Sequence, residues 1–215
     1  MKNKKHSKSS QRWLKEHFSD PYVLAAQKGG YRSRAVYKLM AIQEKDHLLR
    51  LGQNVVDLGA APGGWSQYAA HTVGSKGKVF ALDCLAFEPL AGVEIIQGDF
   101  TTDAVYQQLL MALEGCEIDL VLSDMAPNMS GMSAIDQPKS IYLIELALAF
   151  ADQVLKVGGA IVLKIFQGEG FDEILCQMRQ RFKQVVVRKP PASRARSREV
   201  YLVGKVFLAE DRKKC

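Results

Sequence analysis

The sequence predicts an α/β protein: a mostly parallel sheet with helices on both faces. Three observations carry this. Short apolar runs alternate with helix-length segments, as in a chain of crossover units. The runs are continuously apolar and do not alternate with polar residues, as in strands covered on both sides. The first four each end in or next to an aspartate, Asp57, Asp83, Asp99 or Asp124.

The elements follow in order. Residues 1–10 are Lys- and Ser-rich and read as a disordered basic arm, leaving 11–215 as one domain. A helical N-terminal region comes next, with Ser33 as cap before a helix from Arg34 to His47. Asn54–Leu58 is the first strand; it ends in the Gly-rich turn Gly59 to Gly64, and a helix starts from Trp65. Lys78–Leu82, Val93–Ile96 and Ile118–Leu122 are the next three strands. A long helix then places Ile141, Ile144, Leu148, Ala151 and Leu155 on one buried face, with Gly158-Gly159 as its stop. Ala160–Phe166 is the fifth strand, Gly168–Phe182 a helix, and Gln184–Arg188 and Glu199–Phe207 the closing strands. Only the Lys189–Arg198 loop joins the last two, too short for a parallel crossover, so that pair is antiparallel.

Composition narrows the class. The chain has 215 residues, 47% hydrophobic and 24% charged, the balance of a globular protein. No run of about 18 apolar residues offers a membrane span, and the polar N-terminus lacks a secretory core. Cys84, Cys116, Cys176 and Cys215 are scattered, with no Cys-x-x-Cys pair, and the four histidines show no ligand spacing. The reading is a cytoplasmic, metal-free monomer.

Charge is segregated. Residues 1–40 hold 10 basic and 2 acidic side chains, and residues 179–215 hold 12 and 3. Between them, residues 41–178 carry 7 basic and 18 acidic groups. Basic ends joined by the fold make a footprint for a polyanion such as RNA; solvated tails are the plainer alternative. Arg194, Arg196 and Arg198, if extended, share one face at a spacing suited to successive phosphates. Glu199 and Tyr201, two apart in the strand that follows, also face one side. Trp13, Tyr31 and Tyr37 are placed either to stack on bases or to pack in the core.

In an open α/β sheet the ligand crevice lies beyond the carboxyl ends of the strands, where the four aspartates cluster. A single such aspartate is ordinarily a turn former or cap; four in succession point to a ligand. The first turn, Asp57-Leu58-Gly59-Ala60-Ala61-Pro62-Gly63-Gly64-Trp65, lacks the G-x-G-x-x-G pattern for a pyrophosphate. Its acidic approach suits a cationic ligand, and S-adenosylmethionine carries both an ammonium and a sulfonium. Asp83 is spaced to accept from ribose hydroxyls. Lys164 ends the fifth strand near Asp124, either as a snorkelling side chain or as an amine serving a reacting hydroxyl.

The segments Asp57–Gln67, Ser123–Gly131, Lys164–Gly168 and Ser193–Glu199 closely resemble the FtsJ family of RNA 2′-O-ribose methyltransferases. The resemblance runs from Arg12 to about Leu208. It implies a Rossmann-like, seven-stranded, mostly parallel sheet with one antiparallel strand. It implies S-adenosylmethionine as cofactor, and as product a 2′-O-methyluridine in the 23S RNA of the large ribosomal subunit. The family's Lys-Asp-Lys-Glu catalytic tetrad falls on Lys38, Asp124, Lys164 and Glu199. Its cofactor contacts fall on Gly63, Trp65, Asp83, Asp99 and Asp124. Whether Lys164 acts as a base or as an electrostatic stabiliser stays open at this level. Two rival RNA readings are a transfer-RNA ribose methyltransferase and a non-catalytic ribosome assembly factor. A nicotinamide dehydrogenase on the same sheet is disfavoured by the missing glycine pattern.

Overall fold

The computed structural model describes residues 20–208; the basic arm, Trp13 and Cys215 lie outside them. The element order is α1 (Pro21–Lys28), α2 (Val36–Asp46), β1 (Asn54–Leu58), α3 (Gly64–Val73), β2 (Lys78–Asp83) and β3 (Val93–Gln97). It continues with α4 (Asp103–Ala112), β4 (Ile118–Ser123), α5 (Ser133–Val154), β5 (Leu155–Phe166), α6 (Phe171–Arg181), β6 (Phe182–Arg188) and β7 (Glu199–Phe207).

The seven strands form one sheet in the order β3-β2-β1-β4-β5-β7-β6. β7 inserts between β5 and β6, antiparallel to both, as the short 189–198 connection requires. All other pairs are parallel.

Successive residues on a strand face opposite sides of a sheet, so each strand feeds two cores. On β1, Val56 and Leu58 join a core with Leu109, Leu148 and Ile174 of α4, α5 and α6. Val55 joins Leu39 and Ile42 of α2, and Trp65 and Ala69 of α3, on the other face. Lys164 and Tyr201 sit directly opposite one another in the β5–β7 ladder, so both side chains rise on one face.

Two local expectations change. The long helix ends at Val154, not at the glycine pair: Leu155 already pairs with Ile118, and Gly158-Gly159 lie inside β5. Periodicity places Leu155 on the helix face because a buried strand residue is equally apolar. Second, α2 starts at Val36, and Ser33 contributes its carbonyl oxygen, which accepts from the Val36 N–H, in place of a side-chain cap. Among the described residues no helix is long and apolar enough to cross a membrane.

Candidate active site

A cleft of about 640 Å³ opens beyond the carboxyl ends of β1, β2 and β4. Gly59, Asp83, Asp99 and Asp124 all line it. Gly59 has φ +78°, and a Cβ there would lie 2.8–2.9 Å from Met125, including its backbone. Only glycine lets the first turn pass so close to the chain leaving β4.

The aspartates differ in state. Asp83 accepts at 2.8 Å from the Ala61 N–H and at 2.8 Å from the Leu85 N–H, tying the turn to the loop after β2. Asp99 accepts from the backbone N–H and the hydroxyl of Thr101, which hold its carboxyl below the usual range. Asp57 is fully buried and does not line the cleft. Its Oδ2 accepts from the Ser66 hydroxyl at 2.6 Å, whereas its Oδ1 has no partner. Burial foremost, with Asp124 and Asp83 adding repulsion against the Ser66 hydrogen bond, pushes its pKa up to about 7. Asp57 thus acts from beneath the turn and makes no direct contact with the cleft.

At the β4–β5 side the four residues predicted as catalytic, Lys38, Asp124, Lys164 and Glu199, converge, and of these Asp124 alone lines the cleft. Lys164 Nζ donates to the main-chain oxygen of Asp124 and lies 3.1 Å from its Oδ1. Lys38, on α2, pairs with Glu199 at the start of β7, with Nζ 2.8 and 2.9 Å from the two carboxylate oxygens. The Ser193 hydroxyl donates to Glu199 Oε1 at 2.7 Å. Both lysines are largely buried, with side chains 14% exposed at Lys38 and 9% at Lys164, so each charge must be paired.

Tyr201 joins the two pairs. Its hydroxyl donates to Asp124 Oδ1 at 2.8 Å, and its ring lies 5.7 Å from Lys38 Nζ. Burial, then the charges of Asp124 and Glu199, raise its phenol well above the ordinary value, so it stays a neutral donor. Sequence alone marks Tyr201 only as sharing a face with Glu199; the i, i+2 spacing in a strand is the signal that finds it.

Gly63 and Trp65 are not among the residues lining the cleft. Gly63 caps α3 in a left-handed conformation. Trp65 is buried, donates from its ring N–H to the Ala35 carbonyl at 2.8 Å, and packs on Tyr201 with ring centroids 5.6 Å apart and planes tilted by 43°.

The two basic segments meet. Arg34 pairs with Asp20 at 2.5 Å, lies over the Tyr22 ring and donates to the Ala192 carbonyl of the 189–198 loop. That loop is not extended: the Ser197 N–H bonds the Arg194 carbonyl in a turn, so the three arginines do not alternate as on a strand. Tyr31 and Tyr37 pack edge to face with centroids 6.1 Å apart.

A model of FtsJ-like methyltransferases matches residues 31–207. The chain is 61% identical over 201 residues to the ribosomal RNA large subunit methyltransferase E of Chromohalobacter salexigens, covering 94% of this chain and 96% of that one. It is 57% identical over 199 residues to the protein of that name from Hydrogenovibrio crunogenus, covering 93% and 97%. A putative ribosomal RNA methyltransferase from Plasmodium falciparum superposes with a TM-score of 0.74 at 31% identity, covering 83% of this chain and all of that one. A fibrillarin/Nop5p complex shares the fold, with a TM-score of 0.56 at 22% identity over 80% of this chain and 83% of its own.

Proposed function

This chain belongs to the FtsJ-like methyltransferase family, and on that premise we propose that it methylates ribosomal RNA. In full, a methyl group passes from S-adenosylmethionine to the 2′-hydroxyl of a uridine ribose in 23S RNA, within the large ribosomal subunit. The catalyst is a cytoplasmic monomer that uses no metal. The relatives' names support the ribosomal RNA class, and the resemblance supplies the nucleotide and atom.

The cleft suits the cofactor chemically. Asp83 and Asp99 offer carboxylate oxygens to ribose hydroxyls, and the run of aspartates favours a cation over a pyrophosphate. Asp83, Asp99 and Asp124 would hold the cofactor from the cleft wall, and Gly63 and Trp65 through the turn they anchor. When bound, the cofactor supplies a methyl group activated by attachment to a positive sulfur.

The observation that carries the reading is the Lys164–Asp124 pair, whose aspartate lines the cleft, facing the Lys38–Glu199 pair across Tyr201. A ribose 2′-hydroxyl is a poor nucleophile and gains from a nitrogen that takes its proton or steadies the developing negative charge. Asp124 occupies two bonding positions of Lys164 Nζ and thereby aims the remaining one. Lys38 and Glu199 hold the acceptor ribose from the opposite side. A single displacement of this kind profits mainly from positioning.

The test is ribose-methylation mapping of ribosomal RNA from cells with and without the protein, repeated with isolated large subunits. Loss of one 2′-O-methyluridine, restored by adding protein and S-adenosylmethionine, is the expected result. A change confined to transfer RNA overturns the substrate assignment.

A further inference from the structure

Arg32 lies between α1 and α2, in a basic segment whose charge suits a polyanion. Its hydrogen bonds go elsewhere. The guanidinium donates to the carbonyls of Pro62 at 3.3 Å, Pro89 at 2.8 Å and Glu88. Its backbone N–H donates to Gln67 Oε1 at 3.1 Å, and Gln67 Nε2 donates to the Gly30 carbonyl at 2.9 Å. The packing is tight: a Cβ on Gly63 would meet Leu90 at 2.9 Å, Phe87 at 3.1 Å and Arg32 Nη1 at 3.2 Å.

Two segments are therefore fastened twice. Asp83 joins the turn at Ala61 to the loop at Leu85 from the cleft side. Arg32 joins the same turn at Pro62 to the same loop at Glu88 and Pro89 from the side of the N-terminal segment. We propose that Arg32 is a positioning residue for the cofactor cleft, holding residues 85–90 against the Pro62–Gly63 turn, and is not a phosphate contact. The inference rests on the cofactor reading above. A guanidinium fork suits the task because its planar donors reach several carbonyls at once, whereas a lysine offers one compact charge.

The test uses the full-length protein as wild type, Arg32→Ala and Arg32→Lys. Amide hydrogen exchange at residues 85–92 is followed without cofactor, and S-adenosylmethionine affinity is measured by calorimetry. Both variants should exchange faster in that loop and bind the cofactor about 10–100-fold more weakly, the loss expected for charge-assisted hydrogen bonds. Turnover at saturating cofactor should stay within about threefold of wild type, a loss of affinity and not of chemistry. The salt dependence of RNA binding should match wild type in both. Cofactor affinity and exchange equal to wild type overturn the proposal, as does a salt slope reduced by about one in Arg32→Ala. If wild type itself fails to bind S-adenosylmethionine, the cofactor reading fails, while the exchange data still decide whether Arg32 holds the loop. If Arg32→Ala does not fold, Arg32→Lys carries the same measurements.

Discussion

Asp124 Oδ1 accepts the Tyr201 hydroxyl at 2.8 Å and lies 3.1 Å from Lys164 Nζ, so one carboxylate oxygen serves two strands. The antiparallel register that sets Lys164 opposite Tyr201 makes this sharing possible. Removing either partner leaves Asp124 less firmly held beside the cleft.

Lys164→Met preserves much of the side-chain length but removes the nitrogen. Single-turnover methylation at saturating cofactor and RNA should fall by about 10²–10⁴-fold, with cofactor affinity nearly unchanged. Tyr201→Phe loses one hydrogen bond to a charged group and should cost about 10-fold in the same assay. Near wild-type turnover in Lys164→Met would remove this lysine from the reaction.

Arg194 and Arg196 lie in the turn of the 189–198 loop, which Arg34 joins to the N-terminal segment. The Arg194→Ala, Arg196→Ala double variant should bind RNA more weakly for all sequences. Its log affinity should fall less steeply with log salt, by about one unit of slope for each phosphate that is no longer neutralised. An unchanged slope would show that these arginines lie away from the phosphates.

Asp57 contributes to stability with a sign opposite to most carboxylates. Its folded pKa, about 7, lies above the ordinary 3.8, so between those values the folded state holds the extra proton. Stability should therefore decline as pH rises through that window, by roughly 3–5 kcal/mol in all. Asp57→Asn retains an oxygen for Ser66 and cannot ionise. Denaturant unfolding from pH 5 to 8 should show wild type losing stability relative to Asp57→Asn; parallel curves would refute the assignment.

Asp46 behaves in the usual direction. Burial works to raise its pKa, but the hydrogen bonds and charges of Arg188 and Lys205 together hold it below the ordinary value. Its contribution is present above about pH 4 and is lost as pH falls through the lowered folded value. The bidentate Arg188 pair, at 2.8 Å for both bonds, ties the end of α2 to β6, with Lys205 of β7 at 3.2 Å. Asp46→Ala should cost about 2–3 kcal/mol in urea unfolding at pH 7, a value discounted because both cations remain partly exposed. At pH 3 the difference from wild type should narrow.

The succession of helices and strands and the antiparallel final pair are legible in the residues alone, because apolar period and connection length are local properties. So is the placement of Asp83, Asp99 and Asp124 at strand ends, where the cleft opens. Burial periodicity could not separate the end of α5 from the start of β5, since Leu155 is apolar in either role. The pairing of Lys38 with Glu199, across 161 positions, depends on how α2 packs against β7. The union of Lys164, Asp124 and Tyr201 depends on the register of β5 with β7 and on the adjacency of β4. The state of Asp57 depends on what covers it, and the partners of Arg32 depend on which loops approach it. All of these join residues far apart in the chain and are chosen by the packing of both sheet faces at once, so no short window of sequence contains the residues that decide them.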